Sequence, residues 1–184
     1  MNIFFLANIE TFYNPKRVCS QWNNFFSFDK ITKLTLNTTG FFKKLNNNKI
    51  IEFLEKLENL KYLDCSSTNI SEIPESLNCL EELNCHLCQN LIKIPKNKTL
   101  KKLNCIYTNI SEIPETLNYL EELICHDCKY LTKIPKIKTL KKLDCSCTNI
   151  SEIYADLDCL EDLNCSYCKN LNLNPIYKIK NINI

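Results

Sequence analysis

The chain of 184 residues has one glycine, one tryptophan, one methionine and two histidines. A single glycine leaves no material for the backbone loops that wrap phosphate, which excludes Walker-type and Rossmann-type nucleotide sites. Long apolar runs are missing too, and no stretch approaches the roughly 18 residues that a membrane span needs. The opening MNIFFLANIETFY has a short apolar patch but no basic segment before it and no small-residue cleavage site, so no signal peptide is expected. Nor is there an excess of one charge. Lys and Arg number 23 against 21 Asp and Glu, a net +2, which implies no pull toward nucleic acid or an anionic membrane.

What the chain has in quantity is repetition. Residues 60–99 return with light editing at 100–139 and again from 140, a period of 40 built from two halves of 20. Each half opens on the same beat: Leu60, Leu63, Cys65; Leu80, Leu83, Cys85; Leu100, Leu103, Cys105; Leu120, Leu123, Cys125; Leu140, Leu143, Cys145; Leu160, Leu163, Cys165. Around Leu63 apolar and polar residues alternate, so a short strand turns Leu63 and Cys65 to one side and Tyr62, Asp64 and Ser66 to the other. One such strand cannot bury its own apolar side, whereas copies stacked in a parallel sheet about 4.8 Å apart can. Pro74, Pro95, Pro114, Pro135 and Pro175 cannot donate to a ladder and belong on the return arc. After the strand, odd halves carry Thr68, Thr108 and Thr148 where even halves carry Cys88, Cys128 and Cys168. That place calls for a small side chain able to bond the backbone groups of a buried turn.

An L-x-x-L-x-C beat at a fixed short period resembles the leucine-rich repeat family, with Cys in place of the third leucine. The resemblance implies an α/β solenoid, a horseshoe of about seven repeats with a parallel β-sheet on its concave side. Repeats this short leave too little chain for full helices on the convex side, so turns or short 3₁₀ pieces are expected there. Residues 30–175 are assigned to the repeats. The first of them is longer: Ile31, Leu34, Leu36, Thr39 and Phe41 fit the strand and turn places, and Ile50, Ile51, Phe53, Leu54 and Leu57 predict a helix over 49–59. Residues 176–184, IYKIKNINI, alternate well enough to form a closing strand.

Residues 1–29 carry V-C-S-Q-W-N-N-F-F, which resembles the closing part of an F-box at Val18, Cys19, Trp22 and Asn23. The resemblance implies docking on the Skp adaptor of a cullin–RING ubiquitin ligase, with Val18, Cys19 and Trp22 near the adaptor. The opening L-P-x-E-type helix of that family is not matched, and Pro15 falls where the family has a helical residue. The other reading of this segment is a cap, in which Val18, Trp22, Phe25 and Phe26 keep water off the first repeat.

Nine of the thirteen cysteines lie at the two repeat places. An odd total without a secretory signal predicts reduced, buried thiols acting as small apolar groups, in a cytoplasmic or nuclear setting. The N-I-S sequons at Asn69, Asn109 and Asn149 are then by-products of the repeat. Cys85-His86-Leu87-Cys88 and Cys125-His126-Asp127-Cys128 invite a zinc reading. Their strands are two steps apart, however, about 10 Å, too far to share one ion. No metal or other cofactor is expected. The histidines sit at equivalent repeat places with no matching Ser or acid arrangement, so no enzyme activity is expected either.

The outward strand places form columns. One runs Lys61, Glu81, Lys101, Glu121, Lys141, Glu161 and the next Tyr62, Glu82, Lys102, Glu122, Lys142, Asp162. The alternating sign avoids like-charge repulsion between copies. Beside these columns stand His86, Leu87, Ile106, Tyr107, Ile124, His126 and Tyr167, apolar and aromatic groups suited to anchoring a protein. With Lys102 and Glu122 they make up the expected partner-binding set. The expected function is protein–protein interaction through a polypeptide held on the concave face, with no nucleic-acid or membrane partner. Resemblance to proteins that join an F-box to leucine-rich repeats implies a substrate receptor in ubiquitin ligation. The alternative is a stand-alone structural or decoy repeat protein without adaptor contact.

Overall fold

A computed structural model describes residues 30–36, 46–153, 157–172 and 179–184. Eight strands of three residues lie in one parallel sheet in chain order: β1 (Lys33–Thr35), β2 (Tyr62–Asp64), β3 (Glu82–Asn84), β4 (Lys102–Asn104), β5 (Glu122–Ile124), β6 (Lys142–Asp144), β7 (Asp162–Asn164) and β8 (Asn181–Asn183). The register follows the repeat. Leu34 stands beside Leu63, Leu63 beside Leu83, and so on through Leu103, Leu123, Leu143 and Leu163 to Ile182. Strands β1 to β7 bury their middle residue and leave their flanks wholly or partly open to solvent, the alternation read from the sequence, while Ile182 in the middle of the terminal β8 is partly buried. The chain is thus the repeat solenoid that the resemblance implied.

Behind the sheet the aliphatic side chains form stacked columns. Leu60, Leu80, Leu100, Leu120, Leu140 and Leu160 are buried, as are Leu63 and its equivalents, the Cys65 column, and Ile70, Leu91, Ile110, Leu131 and Ile150. Burying each such side chain stabilises by roughly 1.5–3 kcal/mol, so the fold is held by the stack rather than by any one repeat. Among the described residues three buried places are polar, Asn97, Thr108 and Thr148. Asn97 stands where the next unit has Ile137, and its amide donates to the Leu77 carbonyl while its oxygen accepts from the Thr99 N–H at 2.7 Å. Both ends of the amide are satisfied, so its burial leaves no polar atom stranded.

The helix α1 (Asn47–Leu54) starts and stops earlier than its apolar spacing predicts. Asn46 caps it by accepting from the Lys49 N–H at 3.1 Å. After Leu54 the chain tightens into two turns, Leu57 N–H to Leu54 O and Leu60 N–H to Leu57 O, both 2.9 Å. These turns deliver Leu57 and Leu60 to the core just ahead of β2 and end the helix there. Among the described residues α1 is the only α-helix; the other arcs are turns such as the one closed by Leu77 N–H on Pro74 O. The residues of the F-box-like segment, with Thr39, Phe41, Pro175 and residues 176–178, lie outside the described residues. No helix of the described residues is long and apolar enough to cross a membrane.

The turn after each of the strands β2 to β7 has a feature the sequence did not announce. Ser67, Leu87, Tyr107, Asp127, Cys147 and Tyr167 all have φ between 54° and 62°, and none is glycine. The left-handed conformation costs an L-residue roughly 1–2 kcal/mol. What holds it is a continuation of the ladder: the N–H of Ser67 donates to His86 O at 2.7 Å, that of Leu87 to Ile106 O at 2.9 Å, and that of Tyr107 to His126 O at 3.2 Å. In even repeats the turn closes by backbone, Cys88 N–H to Cys85 O at 3.1 Å. In odd repeats the Thr68 hydroxyl closes it on Cys65 O at 2.7 Å, and the Cys88 thiol donates to the same carbonyl at 3.0 Å. The same arrangement recurs with Thr108, Cys105 and Cys128, and with Thr148, Cys145 and Cys168.

Candidate functional site on the open face of the sheet

Side chains on the open face sort into columns with different work. The outermost columns are occupied with one another. Glu81 is held between Lys61 at 3.1 Å and Lys101 at 2.7 Å, and the two ammonium groups, Lys101 first, lower its carboxyl from the usual range. Lys141 meets Glu121 at 2.7 Å, Lys142 meets Glu122 at 3.0 Å, and Lys102 lies 3.9 Å from Glu82. Lys102 and Glu122, expected as partner contacts, therefore belong to the inter-strand ladder. Exposed pairs of this kind contribute roughly 0.2–1 kcal/mol each.

The next column ends each strand, and its role is local. Asp64, Asn84, Asn104, Asp144 and Asn164 each accept, through Oδ1, the backbone N–H two residues further on, at 2.9–3.3 Å. This side-chain cap satisfies the start of the turn and is worth about 1 kcal/mol. At β5 the same place is Ile124, which cannot accept, so His126 lacks the cap that its equivalents have. An aliphatic residue here gives up a bond without entering the core.

Around Ile124 the structure gathers part of the expected set. Ile106 and His126 are neighbours in the column beyond it, and the Tyr107 ring meets the His126 ring edge-on, centroids 6.1 Å apart. His126 Nδ1 lies 3.2 Å from Asp127 Oδ2. Tyr107 is 44% exposed and Leu87 39%. Leu87 and His86 continue the patch one repeat earlier, as the Leu87 N–H on Ile106 O fixes. Tyr167, 78% exposed, does not join it. It stands three repeats from Tyr107, about 14 Å at the spacing of parallel strands.

Asn84 and Asn104 were missed from the sequence. With Tyr62, Lys102, Glu122 and Ile124 they wall a shallow depression of about 180 Å³ over β2 to β5. The available signal was the Asn/Asp column broken once by Ile124. A larger depression of about 540 Å³ over β6 to β8 sets polar residues around the half-buried Ile182, and its amides and carboxylates bond each other, Asn164 to Asp144 at 3.2 Å and Asn181 to Asp162 at 2.5 Å.

The described cysteines are all free thiols. Burial pushes Cys85, Cys105 and Cys125 well above the ordinary thiol value. Cys85 donates to Asn104 O at 3.3 Å, and Cys128 to Cys105 O at 2.9 Å. Among the described residues no group of three or more His, Cys, Asp or Glu is placed to hold a metal ion.

No protein-family model matches this sequence, and no curated protein matches it. Solved structures do share the fold. The functional domain of InlJ from Listeria monocytogenes, which includes a cysteine ladder, superposes with a TM-score of 0.66 at 22% identity, over 82% of this chain and 38% of that one. An internalin, InlF, from Listeria monocytogenes gives 0.65 at 18% identity, over 85% and 48%. An LRR protein of Leptospira interrogans gives 0.62 at 20% identity, over 83% and 50%. The chain thus spans half or less of the length of these relatives in structure.

Proposed function

We propose that the chain is a protein-recognition module that holds a polypeptide against the open face of its sheet and performs no chemistry on it. The observation that carries this is Ile124. In a column where every other strand from β2 to β7 keeps an Asn or Asp that caps its own turn, β5 gives up the cap for an aliphatic side chain facing outward, beside Ile106, Tyr107 and His126. Departures from a local folding rule that bring no stability are expected where a surface has other work, and exposed aromatic and aliphatic clusters are the usual anchors of protein contacts. The ladder of ion pairs supports the same reading, because charges satisfied between strands leave the patch without a strong field of either sign. Placing a carboxylate at the patch, Tyr107→Asp or Ile124→Glu, should abolish capture of the partner found by cross-linking, while the far-ultraviolet circular dichroism stays unchanged. Undiminished capture by both variants would refute the assignment.

A narrower form makes the chain a substrate receptor of a cullin–RING ligase. It rests on Val18, Cys19 and Trp22 alone, and its test is a pull-down with the Skp adaptor that Trp22→Ala should abolish. Failure of that pull-down favours the stand-alone repeat protein and leaves the open-face reading intact.

A further inference from the structure

We infer that the open face takes an extended peptide segment of a specific kind: one bulky apolar side chain, without charged neighbours, seats in the depression beside Ile124 while the amides of Asn84 and Asn104 donate to the main-chain carbonyls flanking it. The inference rests on the proposed polypeptide-binding role of this face and names what the face asks of its guest.

The Asn side chains are not free to choose which end they present. A backbone N–H can donate only to oxygen, so the bonds from His86 N–H to Asn84 Oδ1 and from Ile106 N–H to Asn104 Oδ1, both 3.3 Å, fix each amide with its oxygen spent. The NH₂ group of each is left as a donor on the wall of the depression, with no bond to another group among the described residues. Lys102 adds a third donor, held only loosely by Glu82 at 3.9 Å. The acceptors on that wall are two carboxylates, Glu122, engaged by Lys142 at 3.0 Å, and Glu82, 3.9 Å from Lys102. Each carboxylate thus lies beside a lysine, and the two amide donors between them are complementary to a guest that offers acceptors. An extended backbone does so, because its carbonyls are unpaired until it docks. Ile124 supplies the apolar side of the same hollow, and a depression of about 180 Å³ has room for one side chain, not several. A charge beside the anchor would be attracted to one of Lys102 and Glu122 and repelled by the other, since the two stand side by side on β4 and β5.

The test is selection of a displayed library of random linear peptides on the immobilised full chain, followed by binding of the enriched peptides to variants. Ile124→Asn restores the cap that the equivalent strands have, so the fold should not weaken. Asn104→Asp keeps the Oδ1 acceptor but replaces the outward donor by a carboxylate. The expected result is a shared single bulky apolar residue and an affinity loss of at least about tenfold in each variant, with Tyr167→Ser unchanged. Peptides that bind both variants normally but are lost in Tyr167→Ser or Lys142→Glu would overturn this inference and leave the open face as the binding surface. Absence of enrichment, or peptides lost only when the opposite arc is changed by Ile92→Asp, would overturn both. A dimer that Ile124→Asn dissolves would put a second copy on the face and equally overturn the peptide assignment. Thermal unfolding of every variant separates lost binding from lost folding.

Discussion

Raising the pH should unfold this chain far more steeply than its surface charge suggests, because its core is lined with thiols. Cys85, Cys105 and Cys125 are pushed well above the ordinary value, by burial first. Cys65 and Cys145 move the same way, through the adjoining Cys88 and Cys168 thiols first and burial second. A thiol raised in the folded state keeps its proton there after the unfolded chain has lost it. Its contribution is fully present below the unfolded value, about 8.5 to 9, and is lost as pH rises above it, at about 1.4 kcal/mol per pH unit. Three such groups remove about 4 kcal/mol per unit, much of a total stability of about 5–15 kcal/mol. Cys88 and Cys128, drawn down to about 7 by the Cys65 and Cys105 thiols beside them, act in the opposite sense and below this window. Their contribution grows from about pH 7 to about 9 and is constant beyond it. The assay is urea unfolding under reductant from about pH 8 to about 10, on the native chain and on Cys105→Ala and Cys125→Ala. Each variant should be less stable at the lower pH, yet lose stability above about pH 9 more slowly by about 1.4 kcal/mol per unit. Lysines and tyrosines titrate in all three proteins and cancel in the difference. Equal slopes in native chain and variants would show that these thiols ionise in place, and the reasoning would fail.

Cys147→Gly, at φ 56°, removes the left-handed penalty but adds the entropy of glycine; a net gain of about 0.5 kcal/mol should appear as a higher calorimetric midpoint. Thr108→Val deletes the hydroxyl that closes its turn on Cys105 O at 2.7 Å and should cost about 1–3 kcal/mol in urea unfolding. Thr108→Cys, which copies the even-repeat residue, should recover part of that loss by the same measurement. Glu81→Gln should lower the urea midpoint only slightly, an effect that moderate salt erases.

The leucine and cysteine beat was enough to place β2 to β7 and their register, because a strand of three residues whose middle side chain must be dry leaves little choice of alignment. The ends of α1 were not legible, since Asn46, Asn47 and Asn48 are equal candidates for the cap and only the fold shows Asn46 in use. The left-handed turns were hidden for a different reason. Positive φ is sought at glycine, and here the ladder imposes it on Leu87, Tyr107 and Tyr167 regardless of side chain. At the site, the apolar patch was visible as residues but not as a neighbourhood. Tyr167 shares a repeat place with Tyr107, yet distance along the stack separates them. Lys102 and Glu122 look unpaired in the sequence, and only the fold shows each facing an opposite charge along the ladder. The meaning of Ile124 required seeing that its Asn equivalents bond to backbone.

The two ways of closing the turn set the unit in which such a chain can change length. The Cys65 carbonyl accepts from its own Thr68 and from Cys88 of the following half, so a threonine half and a cysteine half form a matched couple. Excising 20 residues would set two threonines side by side, costing a carbonyl its thiol donor, or two cysteines side by side, parting a thiol from its threonine half. Excising 40 rejoins the couple without a seam. A gene encoding this protein can therefore lengthen or shorten by whole couples at little cost, and the open face of the sheet would grow in the same doubled steps.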